Sequence, residues 1–191
     1  MTAKILRFEG VRPRRSAQDE KDNLSHHSSK FERAVSGELA VLYRVARRLG
    51  TTSEEAEDLV QVTLIKAFKN WHQFDGRYLR SWLVRILRNE RLAGLRSRKS
   101  EPDWEELSEE AAVEAPFWPT VEDHLEVDKI HKAIDLLAEP YKMAVQLCDV
   151  EQMSYEEAAV AMEVPVGTVR SRLFRARVEL RRKLGAGHGN D

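Results

Sequence analysis

The 191-residue chain carries 31 Lys and Arg against 32 Asp and Glu, with 42% hydrophobic residues and a single cysteine. That apolar content supports one medium domain or two small ones, while a lone Cys148 excludes an internal disulfide and a cysteine-rich zinc site within one chain. No apolar run reaches the roughly 20 residues a membrane helix needs, and Lys4, Arg7 and Glu9 interrupt any signal-peptide core, so a cytoplasmic chain without membrane insertion is expected.

Residues 1–29 are polar, with Arg14-Arg15-Ser16 and Ser25-His26-His27-Ser28-Ser29 among them. So little apolar surface does not offset the entropy of ordering, and a disordered tail is predicted. The first folded unit spans 30–99. Phe31, Val35, Leu39, Leu42, Ala46 and Leu49 recur at helical spacing up to Gly50, a helix terminator. Ser53 is placed to cap a second helix, with Glu54 and Glu55 in its first turn. Its buried stripe is Ala56, Val60, Leu64, Phe68 and Trp71, and its other face carries Asp58, Gln61, Lys66 and Lys69. A turn at Phe74-Asp75-Gly76 leads to a third helix from about Leu79 to Arg98, with Trp82, Leu83, Ile86 and Ala93 inward and Arg80, Arg88 and Arg91 toward solvent.

Residues 100–120 hold Pro102, Pro116 and Pro119 among many carboxylates, the composition of a flexible linker, with room for a short helix at Trp104 to Ala112. The second unit spans 121–184. Leu125, Ile130, Ala133, Ile134 and Leu137 mark one helix, and Pro140 fits the first position of the next, which turns Met143, Ala144, Leu147 and Cys148 inward. Ser154 with Glu157 forms a capping box opening a helix from Tyr155 to Met162. The turn Glu163-Val164-Pro165-Val166-Gly167 precedes a long Arg-rich helix, and residues 185–191 form a disordered C-terminal tail. Sustained period-2 alternation is absent, so the fold class expected is all-α: two small helical domains joined by an acidic linker.

The near-neutral sum hides the charge distribution. Between Arg77 and Lys99 every charged residue except Glu90 is basic, and from Val166 to Leu184 every one except Glu179 is basic. Between Glu101 and Asp128 stand eleven acidic residues and no Lys or Arg. Two cationic islands rich in Arg, whose planar fork suits phosphate and base edges, flank an anionic stretch.

Met153 to Lys183 matches a helix-turn-helix: small Ala158 and Ala159 permit a close crossing, apolar Val164 fills the turn, and Val169, Leu173 and Ala176 face inward. Such a pair sets the N-terminal end of its second helix in the major groove. Arg170, Ser171 and Phe174 then lie near base edges, Thr168 at the helix start suits a phosphate, and Arg175, Arg177 and Arg182 track the backbone. An amphipathic helix with solvated arginines is the bland alternative; the capping box, turn and one-signed face coinciding argue against it.

Enzyme chemistry has little support. The six histidines are scattered, a Gly-rich phosphate loop is lacking, and Cys148 sits in an apolar helical context. Hence no catalytic residue, metal or cofactor is expected. A dimeric one-component helix-turn-helix regulator is the main rival function; its other block ordinarily holds an effector pocket or dimerisation helix, where residues 30–99 carry a second cationic island.

The stretch Pro165-Val166-Gly167-Thr168-Val169-Arg170-Ser171-Arg172-Leu173-Phe174-Arg175-Ala176-Arg177 resembles region 4 of the extracytoplasmic-function sigma factors, the smallest class of bacterial sigma-70 relatives. Ala56-Glu57-Asp58-Leu59-Val60-Gln61 resembles the region 2 helix that docks on the polymerase clamp, and Trp82-Leu83-Val84-Arg85-Ile86-Leu87-Arg88-Asn89 resembles the promoter-melting segment. The resemblance implies a protein that binds core RNA polymerase, through the clamp helices of its largest subunit and its flap, and directs it to promoter DNA with −35 and −10 elements. An anti-sigma factor that holds the chain inactive is implied as a further partner. By position, Asp58, Gln61, Leu64 and Ile65 meet the clamp. Phe74, Arg77, Tyr78 and Arg80 belong to the loop that captures a flipped −10 base, with Arg85, Arg88 and Asn89 beside it. Thr168, Arg170, Ser171, Phe174, Arg175 and Arg177 serve the −35 element. Val62 departs from the acidic residue usual after Gln61, and Ala93 from a frequent Asp.

Overall fold

The computed structural model describes residues 28–96 and 127–185. The expectations for residues 1–27, for the linker with its short helix at Trp104 to Ala112, for Leu125 and for residues 186–191 lie outside them.

The first unit already begins as helix α1 (residues 28–35), two residues before Lys30. The single helix expected from Phe31 to Leu49 is broken: a tight 3₁₀ turn at Ser36–Glu38 separates α1 from α2 (Leu39–Arg48). Ser and Gly are poor helix formers, and the break lets the chain turn there. Leu39 consequently points out, while Val41, Leu42, Val45 and Ala46 are buried. Gly50, at φ +73, ends the helix in the left-handed conformation that glycine adopts without strain.

Helix α3 (Ser53–Lys69) starts at Ser53, the residue expected to cap it, and its cap falls one residue earlier. Thr52, extended at φ −66 and ψ 172, accepts from the Glu55 amide and donates its own amide to the Glu55 carboxylate, at 3.2 and 3.0 Å; Ser53 is already helical. The most buried residues of α3 are the small Ala56, Thr63 and Ala67, which allow close approach, with Val60, Leu64 and Phe68 flanking them half-buried. After a short turn at Trp71–Gln73 and the left-handed Gly76, α4 (Leu79–Arg96) buries Trp82, Leu83, Val84 and Leu87. Ala93, expected inward, is exposed with Gly94 and Leu95.

In the second unit, α5 (Val127–Asp135) buries Ala133 and Ile134, and Leu137 follows them inward. Helix α6 (Glu139–Val145) has Pro140 at its second rather than first residue, still within the turn whose amides need no intrahelical acceptor. It continues into a π-helical turn, Gln146–Val150, that sequence periodicity does not anticipate. Helix α7 (Tyr155–Met162) carries the expected capping box, Ser154 with Glu157, and α8 (Val166–Gly185) buries Val169, Leu173, Ala176, Leu180 and Leu184.

The described residues contain helices and turns and no strand. Helix α4 packs against α3 on one side and against α7 on the other, so the two units meet along a seam and their buried residues join one cluster. Leu83, Val84 and Leu87, wholly buried, each contribute roughly 2 kcal/mol by leaving water.

Candidate nucleic-acid interface

Local chemistry sets the crossing of α7 and α8. The Ser154 and Glu157 reciprocal bonds, at 2.9 and 3.2 Å, fix where α7 starts. Ala158, Ala159, Ala161 and Met162 form its buried face. At its end Glu163 takes φ +56, and the Val164 amide bonds back to the Ala159 carbonyl at 3.2 Å. The Val169 amide then bonds to the Pro165 carbonyl at 3.2 Å as α8 begins. The opposite face of α8 turns outward at its N-terminal end. Arg170 is exposed and lies over the Tyr155 ring, 5.6 Å from its centroid. Phe174 keeps 45% of its surface exposed, a large apolar side chain standing among arginines.

The remaining predicted contacts on α8 are more constrained. Thr168 is half-buried and its carbonyl accepts from the Ser171 hydroxyl at 3.1 Å. Arg175 is half-buried and lines a shallow groove with Phe174, Val178, Glu179 and Arg182. Arg177 is bonded to Asp149 of the π turn at 2.7 and 3.3 Å. Burial works against its charge, yet the Asp149 bond and charge raise its pKa. Cys148, beside that pair, is half-buried; burial first and Asp149 second push its thiol up to about 12, the character of an unreactive core thiol.

In the first unit an aromatic cluster supports the loop before α4. Phe74 stacks on Trp71 at 5.1 Å and 28° and meets Trp82 at 5.2 Å, while Phe31 meets Trp71 and Phe68 edge-on. Trp82 and Phe68 are thus core residues as expected, and Phe74 is anchored with them rather than standing free. The loop's tip is open: Arg77 is exposed with its amide bonded to Asp75 at 2.9 Å, and Tyr78 is 48% exposed at φ +51. A left-handed tyrosine is an uncommon, strained conformation, of the kind held at functional loops.

The basic face of α4, expected in solvent, is engaged partly within its own unit and partly across the seam. Arg80 donates to Glu38 at 2.7 Å and to the Glu151 carbonyl at 3.2 Å. Arg88 pairs with Glu163 at 3.7 Å, and Asn89 donates to the same carboxylate at 3.2 Å. Arg91 reaches the Leu49 carbonyl at 3.2 Å, closing the end of α2. Arg85 is half-buried. A helical wheel marks these arginines as outward from α4; it cannot show which neighbouring element, in the same unit or the other, lies outward too.

On α3 the predicted Asp58, Gln61 and Ile65 share an exposed surface with Val62, and Leu64 is half-buried at its edge. Ile65 at 55% and Val62 at 41% make that surface apolar at its centre. Asp58 and Val62 also line a groove with Thr51, Glu55, Leu59, Glu90, Arg91 and Gly94 between α3 and α4. Lys66, read as outward, pairs with Glu90 of α4 at 2.6 Å.

Sequence reasoning missed Arg44, Arg48, Gln146 and Glu151, which bond across the seam. The available signal was Gln146 itself, a polar residue inside the apolar run Met143 to Cys148, since a buried amide needs partners. Among the described residues no group of His, Cys, Asp and Glu is placed to hold a metal ion, and no helix is long and apolar enough to cross a membrane.

Comparison with known proteins matches both units. Residues 35–101 match the family described as Sigma-70 region 2, and residues 128–180 match Sigma-70, region 4. The chain is 34% identical over 158 residues to the RNA polymerase sigma-E factor of Streptomyces coelicolor, covering 82% of this chain and 87% of that one. It is 36% identical over 145 residues to the ECF RNA polymerase sigma factor SigE of Mycolicibacterium smegmatis, of whose length it spans 56%. Among solved structures it is similar to the sigma factor RpoE in complex with the anti-sigma factor NepR from Bartonella quintana, with a TM-score of 0.63, 30% identity and coverage of 82% of this chain and 97% of that one.

Proposed function

The chain belongs to the extracytoplasmic-function branch of the sigma-70 family, and from that premise we propose how its two basic helical units divide the work of starting transcription. It is a sigma factor: it binds core RNA polymerase and directs it to promoter DNA. It acts in the cytoplasm as an initiation factor, and the chemistry of RNA synthesis belongs to the polymerase.

In this reading the exposed face of α3, with Asp58, Gln61 and Ile65 outward and Leu64 at its edge, docks on the clamp helices of the largest subunit. An apolar centre bordered by a carboxylate and an amide is the anatomy of a protein contact rather than of a DNA contact. The loop from Phe74 to Arg80 receives a flipped base of the −10 element. Tyr78 offers an exposed ring for stacking, Arg77 an exposed cation, and the Phe74–Trp71–Trp82 cluster a rigid floor. Arg85, Arg88 and Asn89 continue that surface along α4. In region 4, Arg170, Ser171 and Phe174 meet base edges of the −35 element, Thr168 borders the phosphate at the helix start, and Arg175 and Arg177 lie toward the backbone. An anti-sigma factor holds the chain inactive, as NepR is found with RpoE.

The observation that carries this reading is the order in one chain of an exposed apolar-acidic helix face, a strained aromatic loop on a basic helix, and a capped helix-turn-helix whose second helix presents Arg170 and Phe174. Run-off transcription with purified chain and core polymerase on genomic fragments tests it. Discrete start sites, absent with core alone, are expected; their absence with an active core overturns the reading.

A further inference from the structure

Tyr155 is the first residue of α7, and three local bonds fix where it stands. The Met153 amide donates to the Leu147 carbonyl at 2.9 Å, and Met153 is buried. Ser154 and Glu157 then close the capping box on either side of Tyr155, at 2.9 and 3.2 Å. Tyr155 itself is half-buried and packs against the core, so its ring has little freedom.

Helix α8 presents two arginines to this one side chain. Arg170 lies over the ring, with its guanidinium carbon 5.6 Å from the centroid. Arg177 stands about two turns further along the same face of the helix. Burial opposes its charge; the bond and charge of Asp149 support it, and Tyr155 adds to that support through a side-chain hydrogen bond. Asp149 takes two of the Arg177 N–H groups, at 2.7 and 3.3 Å. Tyr155 thus stands between an arginine fixed by a carboxylate and an arginine exposed to solvent.

The two partners hold an arginine in different ways. A carboxylate occupies the guanidinium fork and offsets its charge, which leaves little for DNA. A ring face attracts the cation and does neither, so the fork stays charged and able to donate to a base edge. An arginine gives up rotamer freedom when it binds, and one already laid against a rigid ring gives up less. Such ordering matters most for a bidentate contact, because the fork must be aligned to meet both acceptors of a guanine.

Resting on the reading of Arg170 as a −35 base contact, we propose that Tyr155 is a positioning residue for promoter selection: its ring, anchored by the α7 cap, orients the Arg170 fork toward the base edge. The selectivity of α8 is set in part by the first residue of the helix that crosses it.

The test uses the full chain with core polymerase and reads the ratio of run-off transcription from matched and mismatched −35 elements. Arg170→Ala first identifies the base concerned, as the position at which that variant loses its preference. Tyr155→Leu is expected to lower the ratio at this base roughly twofold to fivefold, the scale of an exposed cation–π contact. Tyr155→Phe, which keeps the ring, is expected to retain the ratio. In the Arg170→Ala background Tyr155→Leu is expected to change the ratio no further, because the side chain it positions is gone. If circular dichroism shows that Tyr155→Leu disturbs the helices, Tyr155→Met, which fills the space without an aromatic face, decides the matter. An unchanged ratio, a loss that falls equally on both templates, or a loss that persists in the Arg170→Ala background overturns the proposal and leaves Tyr155 as core packing. So does an equal loss with Tyr155→Phe. An Arg170→Ala chain that keeps its preference at every −35 position overturns the reading of Arg170, and the proposal with it.

Discussion

Arg177 and Asp149 form an ion pair inside region 4, with the Asp149 side chain only 4% exposed and bonds of 2.7 and 3.3 Å joining them. The pair ties α8 to the π turn that follows α6. Removing the arginine leaves a carboxylate with little water to replace it, the costly way to break such a pair. Arg177→Ala is expected to cost about 2 kcal/mol of stability in a urea melt, below the range for fully buried pairs because Arg177 retains 22% exposure. A melt indistinguishable from wild type would mean that the pair is ornamental.

Arg170, only seven positions earlier on the same helix, is expected to behave in the opposite way. It is exposed, and among the described residues its close partner is the Tyr155 ring. Arg170→Ala is therefore expected to leave the melt unchanged while costing roughly 1–3 kcal/mol of promoter discrimination, read as the ratio of transcription from matched and mismatched −35 elements. Equal loss on both templates would reassign Arg170 to the DNA backbone.

The contrast between these two arginines shows what a sequence discloses. Helices, their caps and the helix-turn-helix rest on neighbours three or four residues apart, and Ser154 with Glu157 could be read directly. Errors at that scale were small: Thr52 caps in place of Ser53, and Ser36–Glu38 breaks a helix that periodicity ran through. The seam is a different kind of information. Arg44 and Glu151 are separated by 107 residues, Arg48 and Asp135 by 87, and Asn89 and Glu163 by 74, with the acidic linker between. Local periodicity identifies an outward arginine and says nothing of which carboxylate lies outside it. The same limit hid Arg177, whose partner belongs to a π turn that breaks the 3.6-residue pattern.

The cap of α7 offers a further check, because it supports the reading helix from a distance. Ser154→Ala removes the acceptor of the Glu157 amide and is expected to cost about 1 kcal/mol. Thr52→Ala, the equivalent change at α3, is expected to cost a similar amount. Only the first should lower promoter binding by the assembled polymerase, measured by filter retention on −35 templates. Equal effects of both would indicate that the loss is one of overall stability.

The exposed face of α3 predicts a separation between binding and folding. Ile65 is 55% exposed and Asp58 and Gln61 lie beside it in solvent. Ile65→Ser and Asp58→Ala are each expected to leave the urea midpoint within about 0.5 kcal/mol of wild type, as surface changes do. Both are expected to weaken capture by core polymerase severalfold in a pull-down titration. Undiminished capture by both variants would move the docking surface elsewhere.

Glu139 ties stability to pH at the seam. Its Oε1 is buried without a hydrogen-bond partner, and burial raises its pKa above the ordinary 4.5 despite the opposing charges of Lys142, Arg88 and Arg91. The folded chain thus binds this proton more tightly than the unfolded chain does. The stability it contributes is fully present below the ordinary glutamate value and is lost as pH rises through the raised one. Glu139→Gln keeps the shape and abolishes the titration. Relative to wild type, the variant is expected to gain on the order of 1 kcal/mol between about pH 4 and pH 7 in paired urea melts, the scale of leaving a buried polar group unsatisfied. The difference between the two proteins isolates this group, since every other carboxylate titrates in both. If the difference were flat across that range, Glu139 would titrate like a solvated carboxylate and the start of α6 would be wetter than its burial indicates.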